Sequence, residues 1–127
     1  MKKFTAMLLS LLLLLTGCGG ENKGGTYRQI SQEEARNLME TESDLIILDV
    51  RTPEEYAEGH IPGAINLPNE DIHGQDPELL PKKDQKILVY CRSGNRSRQA
   101  SEKLYDLGYE NILEFGGINT WPGEIVK

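Results

Sequence analysis

The sequence predicts an α/β domain with a mainly parallel β-sheet, and three observations support this fold class. Residues 45–50 and 86–90 are nearly continuous in apolar and β-branched side chains, which is typical of strands covered on both faces. Strand patterns alternate with helix-start signals along the chain. In parallel sheets, functional sites form at the carboxyl ends of strands. Asp49 and Cys91 both lie at predicted strand ends, so we expect the site there.

The first half of the domain is predicted to contain two helices with clear N-terminal signals. Ser31 and Glu34 have the spacing of a capping box. Thr52 is a good N-cap, with Pro53 at the first helical position and Glu55 at the third. The predicted elements are an extended segment (27–30), a helix (31–39), a strand (45–50), a second helix (52–59) and a short strand (64–67).

The second half of the domain is predicted to contain one long helix between two strands. Ala100, Leu104 and Leu107 recur at helical spacing, and Gly108 ends the helix. A glycine pair, 116–117, predicts a turn after the last strand. The predicted elements are a polar stretch with at most short helical turns (69–84), a strand (86–90), a helix that follows the segment 91–97 and stops at Gly108, a strand (111–115) and a short helix (118–121).

The first eighteen residues have the layout of an export signal. Lys2 and Lys3 are followed by an apolar run at 4–15, and residues 15–18 close it with Leu-Thr-Gly-Cys. Twelve residues make only ~18 Å of helix, against ~30 Å for a hydrocarbon core, so we expect cleavage and no permanent transmembrane helix. The small residues before Cys18 resemble the lipobox of bacterial lipoproteins. An ordinary secretory signal is the alternative.

The lipobox resemblance implies a division of the chain into three parts. They are a lipoprotein signal peptide (1–17), a lipidated Cys18 with a flexible Gly-rich tether (18–26) and a folded domain (27–127). We therefore expect a protein anchored by its lipid in the cell membrane and facing outside the cytoplasm. Cys91 would then be its one free thiol, with a disulfide between Cys18 and Cys91 as the alternative.

The charge of the mature chain argues against a nucleic-acid partner. The chain of 127 residues carries a net charge of −6, and removal of residues 1–17 with their two lysines leaves 110 residues at −8. This net charge repels phosphate backbones, and the sequence has no basic stripe. The length suits one core without metal or disulfides, and we expect a monomer.

Cys91 follows a buried strand and precedes a helix, which is a position that stabilises anions. The first backbone N–H groups of a helix lack intrahelical partners and lie at the positive end of the dipole. This field favours thiolate over thiol, and the thiolate is the nucleophile. The candidate substrate-binding residues complete the loop after Cys91: Arg92, Ser93, Gly94, Asn95, Arg96 and Ser97. Gly94 allows a tight bend, while Arg92 and Arg96 suit an anionic substrate.

Four segments in this order resemble the motifs of rhodanese-like domains. They are LDVRTPEEY (48–56), GHIPGAIN (59–66), VYCRSGNRS (89–97) and GGINTW (116–121). The resemblance spans residues 28–124 and implies a single-domain sulfurtransferase with a five-stranded, mainly parallel sheet flanked by helices. It also implies that Cys91 accepts sulfane sulfur as a persulfide, from thiosulfate or a persulfide donor, and passes it to a thiol or cyanide. No metal or organic cofactor is required by this chemistry.

The resemblance assigns Asp49 and Arg51 to support of the active-site loop. We expect them to be structural, as a buried ion pair or as turn partners, so that their loss lowers stability at least as much as rate.

Three alternatives to a sulfurtransferase remain at this point: a binding module, a scaffold domain and a phosphatase. Cys91 could hold sulfur in a carrier or redox-sensing module, or could be an inert buried thiol of a scaffold domain. Phosphatase relatives have a Cys-x5-Arg loop, whereas Cys91 and Arg96 enclose only four residues, which suits sulfur better than phosphate.

Overall fold

The computed structural model describes residues 27–127, in which helices cover both faces of a five-stranded sheet. The strands are β1 (Arg28–Gln29), β2 (Leu45–Asp49), β3 (Ile65–Asn66), β4 (Lys86–Cys91) and β5 (Asn111–Gly117). The helices are α1 (Gln32–Thr41), α2 (Pro53–Glu58) and α3 (Asn95–Asp106). The predicted signal peptide, Cys18 and tether lie outside the described residues. Within residues 27–127, no helix is both long and apolar enough to cross a membrane.

The strand order is β1-β5-β4-β2-β3, and every strand pair is parallel. This confirms the predicted α/β fold with a parallel sheet. The central strand β4 pairs with β2, where Asp49 is opposite Tyr90, and with β5, where Cys91 is opposite Gly117. Because parallel strands end at the same edge, these four residues meet at the carboxyl edge of the sheet.

Alternation along β4 distributes its side chains between two cores. Val89 and Cys91 pack in the cluster that contains Ala100 of α3. Tyr90 packs in the opposite cluster, which contains Ala35 of α1. Since successive side chains of a strand point to opposite faces, the thiol lies on the α3 side of the sheet.

Most predicted elements are present, with boundaries that differ by one or two residues. The helix α1 continues past Met39 to Thr41. The glycine pair does not make a turn after the last strand, because β5 continues through Gly117. The prediction of a turn was wrong. Gly117 pairs with Cys91, so the pairing of β5 with β4 continues beyond the register shift that follows Val89. Gly116 accommodates this irregularity with a φ of 94°, which a β-branched residue would rarely adopt.

Candidate active site

Cys91 is the last residue of β4, and its side chain is buried, with 1% exposed. The backbone N–H of Gly94 donates a hydrogen bond to Cys91 Sγ over 3.0 Å. Gly94 is the N-cap of α3 and has a φ of 108°, in the left-handed region. A Cβ at this position would also lie 3.1 Å from Arg98 Nη1. Glycine is therefore needed to turn this amide toward the sulfur.

The N-terminus of α3 lies directly beyond the sulfur. Its first intrahelical hydrogen bond runs from the N–H of Arg98 to the carbonyl of Gly94, at 3.2 Å. The preceding amides, of Asn95, Arg96 and Ser97, have no intrahelical carbonyl to bind. Together with the dipole of a twelve-residue helix, they form an anion-binding position next to Cys91.

The side chains of the loop differ in their exposure to solvent. Arg92, Ser93 and Asn95 are exposed and form the rim of the loop, whereas Ser97 is buried. The carbonyl of Arg92 accepts a hydrogen bond from the backbone of Asn119 over 3.1 Å. The loop is therefore fixed to the segment after β5 while its rim side chains remain open to a ligand.

Arg96 has a partner that the sequence did not predict. Its guanidinium forms two hydrogen bonds to the Glu55 carboxylate, at 2.8 and 3.1 Å. Glu55 also completes the capping box of α2 by accepting from the N–H of Thr52 at 3.0 Å. The sequence signal identified only the capping role, because the two residues are 41 positions apart. A bidentate pair thus attaches the active-site loop to α2.

The contact with Arg96 makes Glu55 unusually acidic, and stability should depend on pH accordingly. The hydrogen bond from Arg96 outweighs partial burial and lowers the pKa of Glu55 from 4.5 to about 2. A lowered pKa in the folded state stabilises the fold above pH 4.5, and this contribution declines as the pH falls toward 2.

We therefore expect Glu55→Gln, which keeps an acceptor for the capping box, to lower the free energy of unfolding near neutral pH. The loss should be about 1 kcal/mol or less, because both side chains are partly exposed. Denaturant titrations should show the difference from wild type shrinking below pH 4.5. Glu54→Gln is the matched control. A difference that grows in acid would contradict this prediction.

Ser97 connects Cys91 to a second residue that the sequence analysis missed, Glu114. Ser97 Oγ lies 3.4 Å from Cys91 Sγ and donates to Glu114 Oε2 over 2.5 Å. Glu114 lies on β5 and is only 2% exposed. An acidic residue inside the otherwise apolar run of this strand was the available signal. It faces α3, as Cys91 does, because the strand alternation places Ile112 on that face.

Asp49 and Arg51 form a buried ion pair, with Arg51 Nη2 2.7 Å from Asp49 Oδ2. The same oxygen accepts from the hydroxyl of Tyr90 over 2.6 Å, and Arg51 also donates to the carbonyl of Gly59. Burial opposes the charge of Arg51, but the bonds to Asp49 outweigh it and raise the pKa of Arg51.

The side chains of this pair lie before the loop, next to the end of β4. Asp49 and Tyr90 are on the α1 side of the sheet, opposite to the thiol. Among the described residues, the side-chain hydrogen bonds of Asp49 and Arg51 reach Tyr90 and Gly59 and none reaches 92–97. The pair holds the end of β4 immediately before Cys91, where the loop begins.

Replacing Asp49 by alanine should destabilise the fold strongly. It would leave Arg51 buried without its counter-ion, at 7% side-chain exposure, and the Tyr90 hydroxyl without its acceptor. Breaking one partner of a buried pair costs about 3–5 kcal/mol. Thermal or denaturant unfolding measures this loss, with Asp44→Ala on the exposed surface as control. A loss no larger than the control's would contradict a structural role.

Within residues 27–127, no group of three or more His, Cys, Asp or Glu side chains could hold a metal ion. Cys91 is a free thiol in this part of the chain. The alternative of a disulfide to Cys18 lies outside the described residues.

Comparison with known proteins identifies the family. Residues 31–124 match the sequence model of the Rhodanese-like domain. The chain belongs to the rhodanese-like family. A sulfurtransferase of Allochromatium vinosum is 41% identical over 92 residues, which cover 72% of this chain and 83% of that protein. A thiosulfate sulfurtransferase of Escherichia coli is 38% identical over 71 residues, covering 56% and 68%.

The solved structures agree with this assignment. A rhodanese from Escherichia coli, solved with anions, is 35% identical and superposes with a TM-score of 0.59, over 65% of this chain and 96% of its own. The rhodanese-like fold expected from the motifs is thereby confirmed. These relationships make the chain a rhodanese-type sulfurtransferase.

Proposed function

We propose that Cys91 carries sulfane sulfur as a persulfide between an anionic donor, thiosulfate or a persulfide, and a thiol or cyanide acceptor. The observation that carries this proposal is the hydrogen bond from the Gly94 amide to Cys91 Sγ at the N-terminus of α3. An amide that donates to the sulfur favours its anionic, nucleophilic form. Relatives named as sulfurtransferases support the same reaction class.

Loading begins with attack of the Cys91 thiolate on the outer sulfur of thiosulfate. A bond forms between Cys91 Sγ and this sulfur, and the bond to the sulfonate sulfur breaks. Sulfite leaves with the electron pair, so the reaction needs no external oxidant or reductant. The anionic persulfide then occupies the position next to the free amides of α3.

Discharge repeats the displacement on the outer sulfur of the persulfide. An acceptor thiolate or cyanide forms a bond to this sulfur, and the Cys91 thiolate leaves with the electron pair. The products are the acceptor's persulfide or thiocyanate and the resting enzyme. Resident metal or organic cofactors take no part in either displacement.

The two arginines of the loop have different roles in this proposal. Arg92 is exposed on the rim, where it can bind the sulfonate oxygens of the incoming donor. The guanidinium of Arg96 is held in place by its hydrogen bonds to Glu55. From this fixed position, its positive charge attracts the anions that bind beside Cys91. Donor orientation at the rim is therefore assigned to Arg92 and electrostatic support to Arg96.

The experiment that tests this function is intact-mass spectrometry before and after incubation with thiosulfate. The wild-type protein should gain the mass of one sulfur atom, and this mass should disappear after cyanide is added. Cys91→Ser should gain none. Absence of the gain in wild type would exclude the persulfide, and a stable gain that neither cyanide nor a thiol removes would indicate a carrier instead of an enzyme.

We further propose that the protein is held at the outer face of the cell membrane by a lipid on Cys18. The support is the sequence alone: a basic start, an apolar run and a lipobox-like ending. In cells, wild type should fractionate with membranes and Cys18→Ala should not. Retention of the variant in the membrane fraction would overturn lipid anchoring without affecting the assignment of Cys91.

A further inference from the structure

A groove of about 410 Å³ lies beside the active-site loop, on the side of β1 and α1. The loop contributes Ser93 to its lining, the first turn of α3 contributes Arg98, and the segment after β5 contributes Asn119. Glu114 lies at the base of the groove, where it is only 2% exposed. The volume falls in the range of sites for small organic molecules, and the sulfur-transfer steps above do not use this groove.

Three side chains that line the groove can donate hydrogen bonds to a ligand. In the part of the chain that the structure describes, no hydrogen bond or ion pair involves the side chain of Ser93, Arg98 or Asn119. Gln32, on the opposite wall, is already occupied, because it donates to the carbonyl of Gly117 over 2.8 Å. The free donors of the groove therefore suit a group that only accepts hydrogen bonds.

Arg98 places a positive charge close to the reacting sulfur. Its Nη1 atom lies 3.1 Å from the position that a Cβ on Gly94 would take, and the N–H of Gly94 donates to Cys91 Sγ over 3.0 Å. Together with the bond lengths between these atoms, the two contacts place Arg98 Nη1 within about 9 Å of the sulfur. A small molecule can therefore react at the sulfur with one end while its other end contacts Arg98.

The two sides of the loop differ in charge. On the side of α2, the guanidinium of Arg96 is already bound by the carboxylate of Glu55. On the side of the groove, Arg98 forms no ion pair with any described residue, including Glu102 one turn further along α3. The groove is acidic at its base because of Glu114, so an anion is attracted to the exposed end beside Arg98.

We propose that this groove binds the carboxylate of a small thiol that accepts sulfur from Cys91, with Arg98 as the residue that selects it. The inference rests on the persulfide transfer proposed above and names the class of acceptor. The two oxygens of a carboxylate can accept hydrogen bonds from Arg98, Ser93 and Asn119 together. The thiolate of the same molecule forms a bond to the outer sulfur of the persulfide, and the Cys91 thiolate leaves with the electron pair.

The size of the groove and the charge of the chain favour a small acceptor over an acidic protein. The groove has room for a short carboxylate-bearing chain, whereas the net charge of −6 repels an acidic protein surface. The sulfonate of thiosulfate is the other anion that could bind beside Arg98. Thiosulfate acts only in loading and the acceptor only in discharge, so separate measurements of the two steps distinguish these ligands.

The test is single-turnover discharge of the loaded protein, measured on the full chain in a Cys18→Ser background. The protein is loaded with thiosulfate, freed of the excess, and mixed with 3-mercaptopropionate or with its uncharged amide at equal thiolate concentration. Intact-mass spectrometry follows the loss of the extra sulfur. The parent protein should react faster with the carboxylate than with the amide, and Arg98→Gln should lower this preference about fivefold. Arg36→Gln, which removes an exposed arginine outside the groove, should leave the preference unchanged.

The amide is the internal reference for damage to the loop, because Arg98 covers Gly94. If Arg98→Gln slows both thiols equally, the preference is unchanged and the proposal is overturned. Arg98→Glu provides a second criterion with the amine thiol cysteamine. Reversal of the charge should make cysteamine react faster, relative to the amide, than it does with the parent protein. An unchanged ratio for cysteamine would also overturn the role of Arg98.

Loading by thiosulfate is measured on the same variants. An effect of Arg98→Gln on loading as large as its effect on discharge would place the donor in the groove and overturn the assignment to the acceptor. Absence of loading in the parent protein would overturn this inference together with the proposed function. Loading and discharge to cyanide without a carboxylate preference would overturn this inference alone.

Discussion

Cys91→Ser is expected to lower thiocyanate formation from thiosulfate and cyanide by a factor on the order of 10³ or more. A serine hydroxyl is a far weaker nucleophile than a thiolate and does not form a persulfide. The fold should survive, because serine is close in size to cysteine and its oxygen can accept the hydrogen bond of the Gly94 amide.

The matched control for this experiment is the other cysteine of the chain. Cys18→Ser removes a thiol but leaves the loop after β4 intact, so the activity in detergent solution should equal that of wild type. Circular dichroism and thermal unfolding of Cys91→Ser show whether the loss is chemical or structural. Activity that survives Cys91→Ser in a folded protein would remove Cys91 from the reaction.

Gly117→Ala is expected to displace the active-site loop. A Cβ on Gly117 would lie 2.0 Å from the carbonyl oxygen of Arg92 and 2.6 Å from the Cα of Ser93. These are backbone atoms, so the contact cannot be relieved by rotation of a side chain. The φ of Gly117 is −129°, which alanine adopts freely. The predicted effect is therefore purely steric.

The expected results of this substitution are a loss of stability and a larger loss of rate. Overpacking of this kind costs about 1–3 kcal/mol. A shift of about 1 Å in the groups beside the reacting sulfur lowers the rate by about 10²-fold. Denaturant unfolding and thiocyanate formation measure the two effects separately.

Gly74→Ala is the control for glycine replacement in general. Gly74 has a φ of 59°, and a Cβ added there would have no other atom within 4 Å. Alanine at this position should therefore lower stability slightly and leave the rate unchanged. Equal rates for Gly117→Ala and wild type would show that the loop does not depend on this close approach.

The chemistry of the loop was predictable because its signals are local. A buried strand, a cysteine, a glycine and a helix start follow one another within a few residues, and together they predict an anion-binding position around Cys91. The capping signals of Ser31 and Thr52 are also local, and both residues cap helices. Signals between residues that are close in the chain can be recognised without knowledge of the tertiary fold.

The residues that support the loop could not be identified in this way. Glu55 has the spacing of a capping residue, and only the approach of α2 to α3 makes it the partner of Arg96. Glu114 is separated from Ser97 by 17 positions, and its proximity depends on the pairing of β5 with β4. The prediction that Asp49 supports the loop came from the family resemblance, and strand alternation places its side chain on the face opposite to the thiol.

The sequence by itself determined the fold class, the order of its elements and the candidate nucleophile, since hydrophobic periodicity and helix capping act between near neighbours. The tertiary structure decided which carboxylates contact the loop: Glu55 through Arg96, and Glu114 through Ser97. The physical reason is that hydrogen bonds and charges depend on distance in space. In a parallel sheet, residues far apart in the chain are brought to one edge by strand order and register.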